Sequence, residues 1–105
     1  MSEMSNGSPP YQVAYSELVR NELEKLIARA EERGLGSQVR AAVRKLDHLL
    51  HIYPQFGEPL LDLSFVPGQL RIGTVPPLVA RYAIYEEQRL VIVTIPISTL
   101  PHSGL

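Results

Sequence analysis

Apolar residues recur at three- and four-residue steps over residues 17–33, and polar residues fill the positions between them. This spacing places the apolar side chains along one side of an α-helix. Ser16 precedes the pattern and supplies an N-cap oxygen, and Gly34 ends the helix in a left-handed conformation that most residues avoid. The predicted apolar stripe consists of Leu18, Val19, Leu23, Leu26, Ile27 and Ala30.

A second helical pattern follows after a link of only a few residues. Gly36 and Ser37 open it, with Ser37 as the predicted N-cap, and Pro54 ends it because proline disfavours the helical conformation in the residue before it. Two amphipathic helices joined by so short a link are expected to lie antiparallel as a hairpin. Each apolar stripe then needs another surface to cover it.

Shorter apolar runs before and after the helices predict that surface. Residues 11–15 form a first strand, and residues 70–75, 78–85 and 90–97 form three more. The last run, LVIVTIPI, is apolar at both alternating sets of positions, which predicts a central strand buried on both faces. The order β-α-α-β-β-β predicts an α+β fold, with the helical hairpin on one face of a mostly antiparallel, four-stranded sheet.

Composition indicates the extent of this domain in the chain and limits the classes of protein to which it can belong. The chain has 105 residues and no cysteine, which excludes disulfides. Its net charge of -1 gives no support for a generally basic nucleic-acid binder. No segment is long and apolar enough to span a membrane, so we expect a cytoplasmic protein. We predict a disordered leader over residues 1–10, a domain over residues 11–97 and a short tail over residues 98–105.

Three segments in order carry a resemblance to a known family. They are FGEPL after the second helix, LRIG in the second strand and RYAIYEEQRLVIV across the last two strands. With the order of elements, they resemble the RelE/ParE superfamily of plasmid-stabilisation and type II toxin–antitoxin toxins. The resemblance implies one of two activities, cleavage of ribosome-bound messenger RNA or poisoning of DNA gyrase. It also implies an antitoxin partner that neutralises the toxin.

RNA cleavage in this family is metal-independent and needs no cofactor, and the resemblance implies where its catalytic residues lie. Arg71 stands where a basic residue of the second strand is expected. Arg81 lies in the third strand, about two positions after the usual arginine, and His102 is the nearest candidate for the group that follows the last strand. These departures leave a second hypothesis open, a catalytically inactive relative that keeps the fold as a binding or scaffold protein.

Whether the two arginines lie on the same face of the sheet depends on the length of the loop at Pro76-Pro77. A two-residue loop pairs Arg71 with Tyr82 and puts the arginines on opposite faces, whereas a loop one residue longer or shorter puts them on one face. We favour the longer loop, because proline suits the φ > 0 positions of tight hairpins poorly. Tyr82 and Tyr85 are candidates for stacking on RNA bases, or they fill the sheet face.

Other chemistry has little support in the sequence. His48 and His51 stand three positions apart on the second helix, but no third ligand is marked by spacing, so we expect no metal site. Glu58 is interpreted as a solvated acid in a turn. The tyrosine-rich first strand and the tail are the segments through which a homodimer would form.

Overall fold

The computed structural model describes residues 9–61 and 68–105, so residues 1–8 of the predicted leader lie outside the described residues. Within these ranges the chain forms two α-helices, a short 3₁₀ helix and six strands. None of the described helices is long and apolar enough to cross a membrane. The elements are β1 (Gln12–Tyr15), α1 (Glu17–Glu32), α2 (Gly36–Ile52), the 3₁₀ helix (Pro54–Phe56), β2 (Glu58–Leu61), β3 (Gln69–Val75), β4 (Leu78–Tyr85), β5 (Leu90–Val93) and β6 (Ser98–Thr99).

The strands form one sheet in the order β1-β5-β4-β3-β2, and the short β6 pairs with the beginning of β4. All pairs are antiparallel except β1 with β5, which run parallel. Both helices pack on the same face of this sheet, and the α+β fold class predicted from the sequence is confirmed. The sheet has two more strands than predicted.

The two helices begin differently. Ser16 caps α1 as predicted, because its Oγ accepts a hydrogen bond from the backbone N of Val19 at 3.1 Å. Gly34 has the predicted left-handed conformation, with φ 74°, and lets the backbone N of Leu35 reach the carbonyl of Ala30 at 2.7 Å. The prediction of Ser37 as the second cap is wrong. The chain turns so tightly after Gly34 that α2 starts at Gly36 without a side-chain cap.

The sequence pattern missed β2 and β6 and made β5 too long. β2 contains Pro59 and lies at the edge of the sheet, where proline is tolerated but gives no strand signal. β5 ends at Val93, because the chain leaves the sheet and returns only as β6. β5 is central, but the prediction of burial on both faces is corrected: Val91 and Val93 are fully buried, whereas Leu90 and Ile92 are half-buried.

The two faces of the sheet are best defined on β4, whose residues alternate strictly between buried and half-exposed. We call the helix-covered side the closed face, formed on β4 by Leu78, Ala80, Tyr82 and Ile84. The other side, the open face, is formed on β4 by Val79, Arg81, Ala83 and Tyr85. The closed face and the helix stripes make one hydrophobic cluster, which includes Val19, Leu26, Leu46 and Leu50.

Gly57 lies between the 3₁₀ helix and β2, and glycine is required there for close packing rather than for its conformational freedom. Its φ of -77° is one that any residue adopts, so the turn itself does not require glycine. A Cβ at this position would instead lie 2.8 Å from the carbonyl oxygen of Ile72 and would collide with the hydroxyl of Tyr82. Glycine is needed here because the chain passes directly over the sheet.

Candidate functional site

The loop at Pro76-Pro77 has two residues, so the longer loop that we favoured is wrong. Val75 pairs with Leu78, Ile72 with Arg81 and Arg71 with Tyr82. A shift by one residue would turn the buried Leu78 and its alternating neighbours out of the core, which outweighs the preference of the turn itself. Arg71 and Arg81 therefore lie on opposite faces of the sheet.

The side chain of Arg71 has a structural role. Its Nη1 donates to the carbonyl of Gln55 at 3.1 Å and also to the carbonyl of Gly57, and its Nε donates to Oε1 of Gln69 at 2.9 Å. These contacts fix the segment between α2 and β2 over the edge of the sheet. The half-buried guanidinium group has most of its donors occupied by main-chain carbonyls and an amide.

Tyr82 is part of the core, which corrects its candidacy for base stacking. Its side chain is 2% exposed, and its hydroxyl donates to the carbonyl of Pro54 at 2.6 Å. Its ring stacks on Phe56 with the centroids 6.0 Å apart. Burial raises the pKa of the hydroxyl to about 12, so it stays a donor at neutral pH.

Arg81 and Tyr85 lie on the open face and border one shallow pocket of about 230 Å³. Leu60, Ile92 and Ile95 give the pocket an apolar lining, and Leu60 and Ile95 are both nearly half exposed. Arg71 and Tyr82 border it as well, although their hydrogen bonds are made with the segment after α2. Among the described residues, β4 thus offers this pocket one open-face cation and one open-face aromatic ring, four positions or about 13 Å apart along the strand.

His102 does not join either arginine. It is exposed, has φ 63° and follows β6 in a tail that Arg33 holds by donating to the carbonyl of Gly104 at 2.8 Å. Among residues 9–61 and 68–105, no hydrogen bond connects His102 with Arg71 or Arg81. The predicted tail also packs against the domain, since Leu105 contacts the core. Arg71 and Arg81 thus border one pocket from opposite faces of the sheet, whereas His102 lies apart from both.

The two helix histidines have separate surroundings. Nδ1 of His51 lies 2.8 Å from the carbonyl of Asp47, whereas His48 is exposed. In the described part of the chain, no three His, Cys, Asp or Glu residues are grouped as they would be to hold a metal ion.

A polar cluster that the sequence analysis missed joins the first strand to the turn after β4. The hydroxyl of Tyr11 donates to Glu86, and the amide of Gln55 donates to Tyr11 at 2.7 Å and to Glu86 at 2.8 Å. The guanidinium of Arg89 lies 4.1 Å from the centre of the Tyr11 ring. The hydrogen bonds from Tyr11 and Gln55 lower the pKa of Glu86. Only tertiary folding brings these residues together, so spacing along the chain gave no signal.

A second feature missed from the sequence is a groove between the helices, which we call the helix groove. It has a volume of about 240 Å³, and Arg20 and Arg44 border it together with apolar side chains from α1, α2 and residue Ile97. Its sequence signal is weak, because each arginine directly follows a residue of an apolar stripe and reads as solvated surface.

Comparison with known proteins gives a match in structure but not in sequence. No protein-family model matches the chain, and no curated protein matches it. The structure is similar to a chain in the crystal structure of the toxin–antitoxin complex RelBE2 from Mycobacterium tuberculosis, with a TM-score of 0.56 and 18% sequence identity. The match covers 90% of this chain and 97% of that one. The chain therefore shares a RelE-like fold with this structure.

Proposed function

We propose that this chain is the toxin-type subunit of a toxin–antitoxin pair, and that an antitoxin protein binds and neutralises it. The observation that carries the proposal is the RelE-like fold, which extends over 90% of the chain. The similar structure is that of a toxin–antitoxin complex, and we extend that kind of partner to this chain. Fold alone does not decide the target, which depends on the side chains that the fold presents.

The arrangement of cations favours a toxin that acts by binding to its target over a toxin that cleaves RNA. A phosphate in a transition state needs preorganised positive groups that converge on it. Arg71 donates hydrogen bonds to the carbonyls of Gln55 and Gly57. Arg81 lies on the other face of the sheet, and His102 lies in the tail. An inactive relative that keeps only the partner-binding role fits the same separation.

A second candidate function is cleavage of ribosome-bound messenger RNA at the open face. It is favoured by the pocket that Arg81 and Tyr85 share, because a guanidinium group and an aromatic ring suit a phosphate and a base. In that case Arg81 stabilises the charge on the phosphate, and Tyr85 stacks on a base. Poisoning of DNA gyrase is the other activity of the superfamily that the sequence resembles, and it is an outcome of the test below.

The test is induced expression in a bacterial host, alone and together with the protein encoded by the adjacent reading frame. We expect growth arrest with the chain alone, relief by the co-expressed protein and co-purification of the two. We also expect the arrest to persist in Arg81→Ala, without new cuts in messenger RNA when 5′ ends are mapped. The absence of a complex would contradict the toxin–antitoxin proposal, whether or not growth is arrested.

The controls separate the two candidates. Arg29→Ala is the matched variant, because Arg29 is an exposed arginine on the helical side of the molecule. If Arg81→Ala relieves arrest and removes new RNA cuts while Arg29→Ala does neither, RNA cleavage at the open face replaces action by binding. DNA damage in a host with wild-type gyrase, absent in a host with a resistant gyrase, would identify gyrase as the target. A complex without arrest would identify the inactive relative.

A further inference from the structure

The helix groove is an apolar recess in the exposed surface of the helical hairpin. Its lining includes Leu23, Val43 and Ile97, and the aromatic ring of Tyr15 contributes as well. Its volume of about 240 Å³ is below the roughly 300–1,000 Å³ that small-molecule sites usually have. A recess of this size suits one or two side chains of a partner protein better than it suits a whole ligand.

The charges that are available at the border of the helix groove are positive. Arg20 and Arg44 are both exposed, and within residues 9–61 and 68–105 no carboxylate lies within 4.0 Å of either guanidinium group. Other cations of the same helices do have partners, since Lys25 pairs with Glu22 and Arg40 with Glu31. In the part of the chain that the structure describes, the two arginines at the groove therefore have no carboxylate partner.

The groove also contains one carboxylate, which is already engaged. Asp47 stands three positions after Arg44 on α2, a spacing at which the two side chains often pair. Instead, the hydroxyl of Tyr15 donates to Oδ1 of Asp47 at 2.5 Å, and Nδ1 of His51 lies 3.5 Å from Oδ2. Burial and the neighbouring Asp47 raise the pKa of the Tyr15 hydroxyl, so it remains a donor at neutral pH. The carboxylate of Asp47 is thus engaged with Tyr15 and His51.

We propose that the helix groove is where the antitoxin docks an acidic, amphipathic segment, with an apolar side chain in the recess and carboxylates on Arg20 and Arg44. This inference rests on the proposed function, because it takes the antitoxin as the partner. The open-face pocket is a weaker choice for such a segment, since Arg81 is its one cation on that face and its lining is more polar. Charge complementarity also predicts binding that weakens as salt is added.

The experiment measures binding of the co-expressed adjacent-frame protein to the purified full chain and to two double variants. Arg20→Glu with Arg44→Glu reverses both groove charges. Arg29→Glu with Lys45→Glu reverses two exposed charges on the same helices away from the groove and serves as the matched control. We expect the groove variant to weaken binding at least tenfold, mainly through slower association, and the control to stay within about threefold.

Three outcomes would decide against the inference in distinguishable ways. Wild-type chain that forms no complex would contradict the proposed function itself. A complex that the groove and control variants weaken equally would leave that function intact and overturn the docking site. Wild-type chain that dimerises in sedimentation experiments, with the dimer lost only in the groove variant, would assign the groove to a second copy. The milder pair Arg20→Gln with Arg44→Gln is measured as well, so that a folding defect in the Glu variant cannot be mistaken for lost binding.

Discussion

The closed and open faces of the sheet share the same strands but use them differently. On β4, the side chains of Leu78, Ala80, Tyr82 and Ile84 are at most 2% exposed, whereas each residue between or after them is half-exposed. Even the two strand arginines follow this division, since Arg71 bonds to the main chain and Arg81 faces the open side. The difference shows that residue type alone does not mark a site: one arginine is structural and the other is available.

The largest expected effect contrasts two isoleucines of adjacent strands. Ile84 is 1% exposed on the closed face, and Ile92 is half-buried on the open face. Ile84→Ala should lower the free energy of unfolding by about 2–5 kcal/mol, because it leaves a cavity in the core. Ile92→Ala should cost clearly less, and urea denaturation measures both. Equal losses would mean that a further surface covers the open face.

The next contrast removes the charge of each strand arginine while keeping its aliphatic stem. Arg71→Met should lower the free energy of unfolding by about 1.5–3 kcal/mol, because the carbonyls of Gln55 and Gly57 lose a charged donor. Arg81→Met should change it by less than about 0.5 kcal/mol. Chemical denaturation of the pair is the measurement. A larger loss for Arg81→Met would give Arg81 a structural role that the contacts do not indicate.

A smaller effect is expected from the two tyrosines of β4. Tyr82→Phe removes the hydroxyl that donates to Pro54 at 2.6 Å and should cost about 1 kcal/mol of stability. Tyr85→Phe removes a hydroxyl on the open face and should be nearly neutral for stability. Thermal unfolding compares them. If Tyr85→Phe proved the more destabilising, the division between the faces would not extend to the end of β4.

The smallest effect concerns acid stability at the turn after β4. Because the folded-state pKa of Glu86 lies below its ordinary value of 4.5, its stabilising effect is present above that value and is lost as pH falls through the lower, folded pKa. Glu86→Gln should therefore lose less stability than wild type as pH falls from neutral through the folded-state pKa of Glu86. The neighbouring Glu87→Gln should follow the wild-type curve. Identical curves for all three proteins would show that the cluster with Tyr11 contributes nothing.

The helices and the long hairpin were predictable because their signals are local. The apolar periodicity of α1, its Ser16 cap and Gly34, and the alternation along β4 depend on residues close in sequence. β2 and β6 were not predictable, since one contains Pro59 and the other has two residues, and both form only because a partner strand is already there. For such strands pairing decides, not propensity.

The candidate site was predictable only in part, for the same reason. The face of each arginine depended on one residue of loop length, and the core packing of Val75 and Leu78 decided that length. The burial of Tyr82 depends on the returning segment at Pro54, and the helix groove depends on how two helices and Tyr15 meet. None of these relations appears as spacing in the chain.

The parallel pairing of β1 with β5 has a consequence for how the protein is made. Gln12 pairs with Leu90, so the first strand leaves the ribosome long before its partner has been translated. The α1–α2 hairpin and the β3–β4 hairpin join neighbours in sequence and can form as they emerge, whereas closing the sheet must wait for the last part of the chain. Until β5 is translated, β1 lacks the strand with which it pairs in the folded sheet.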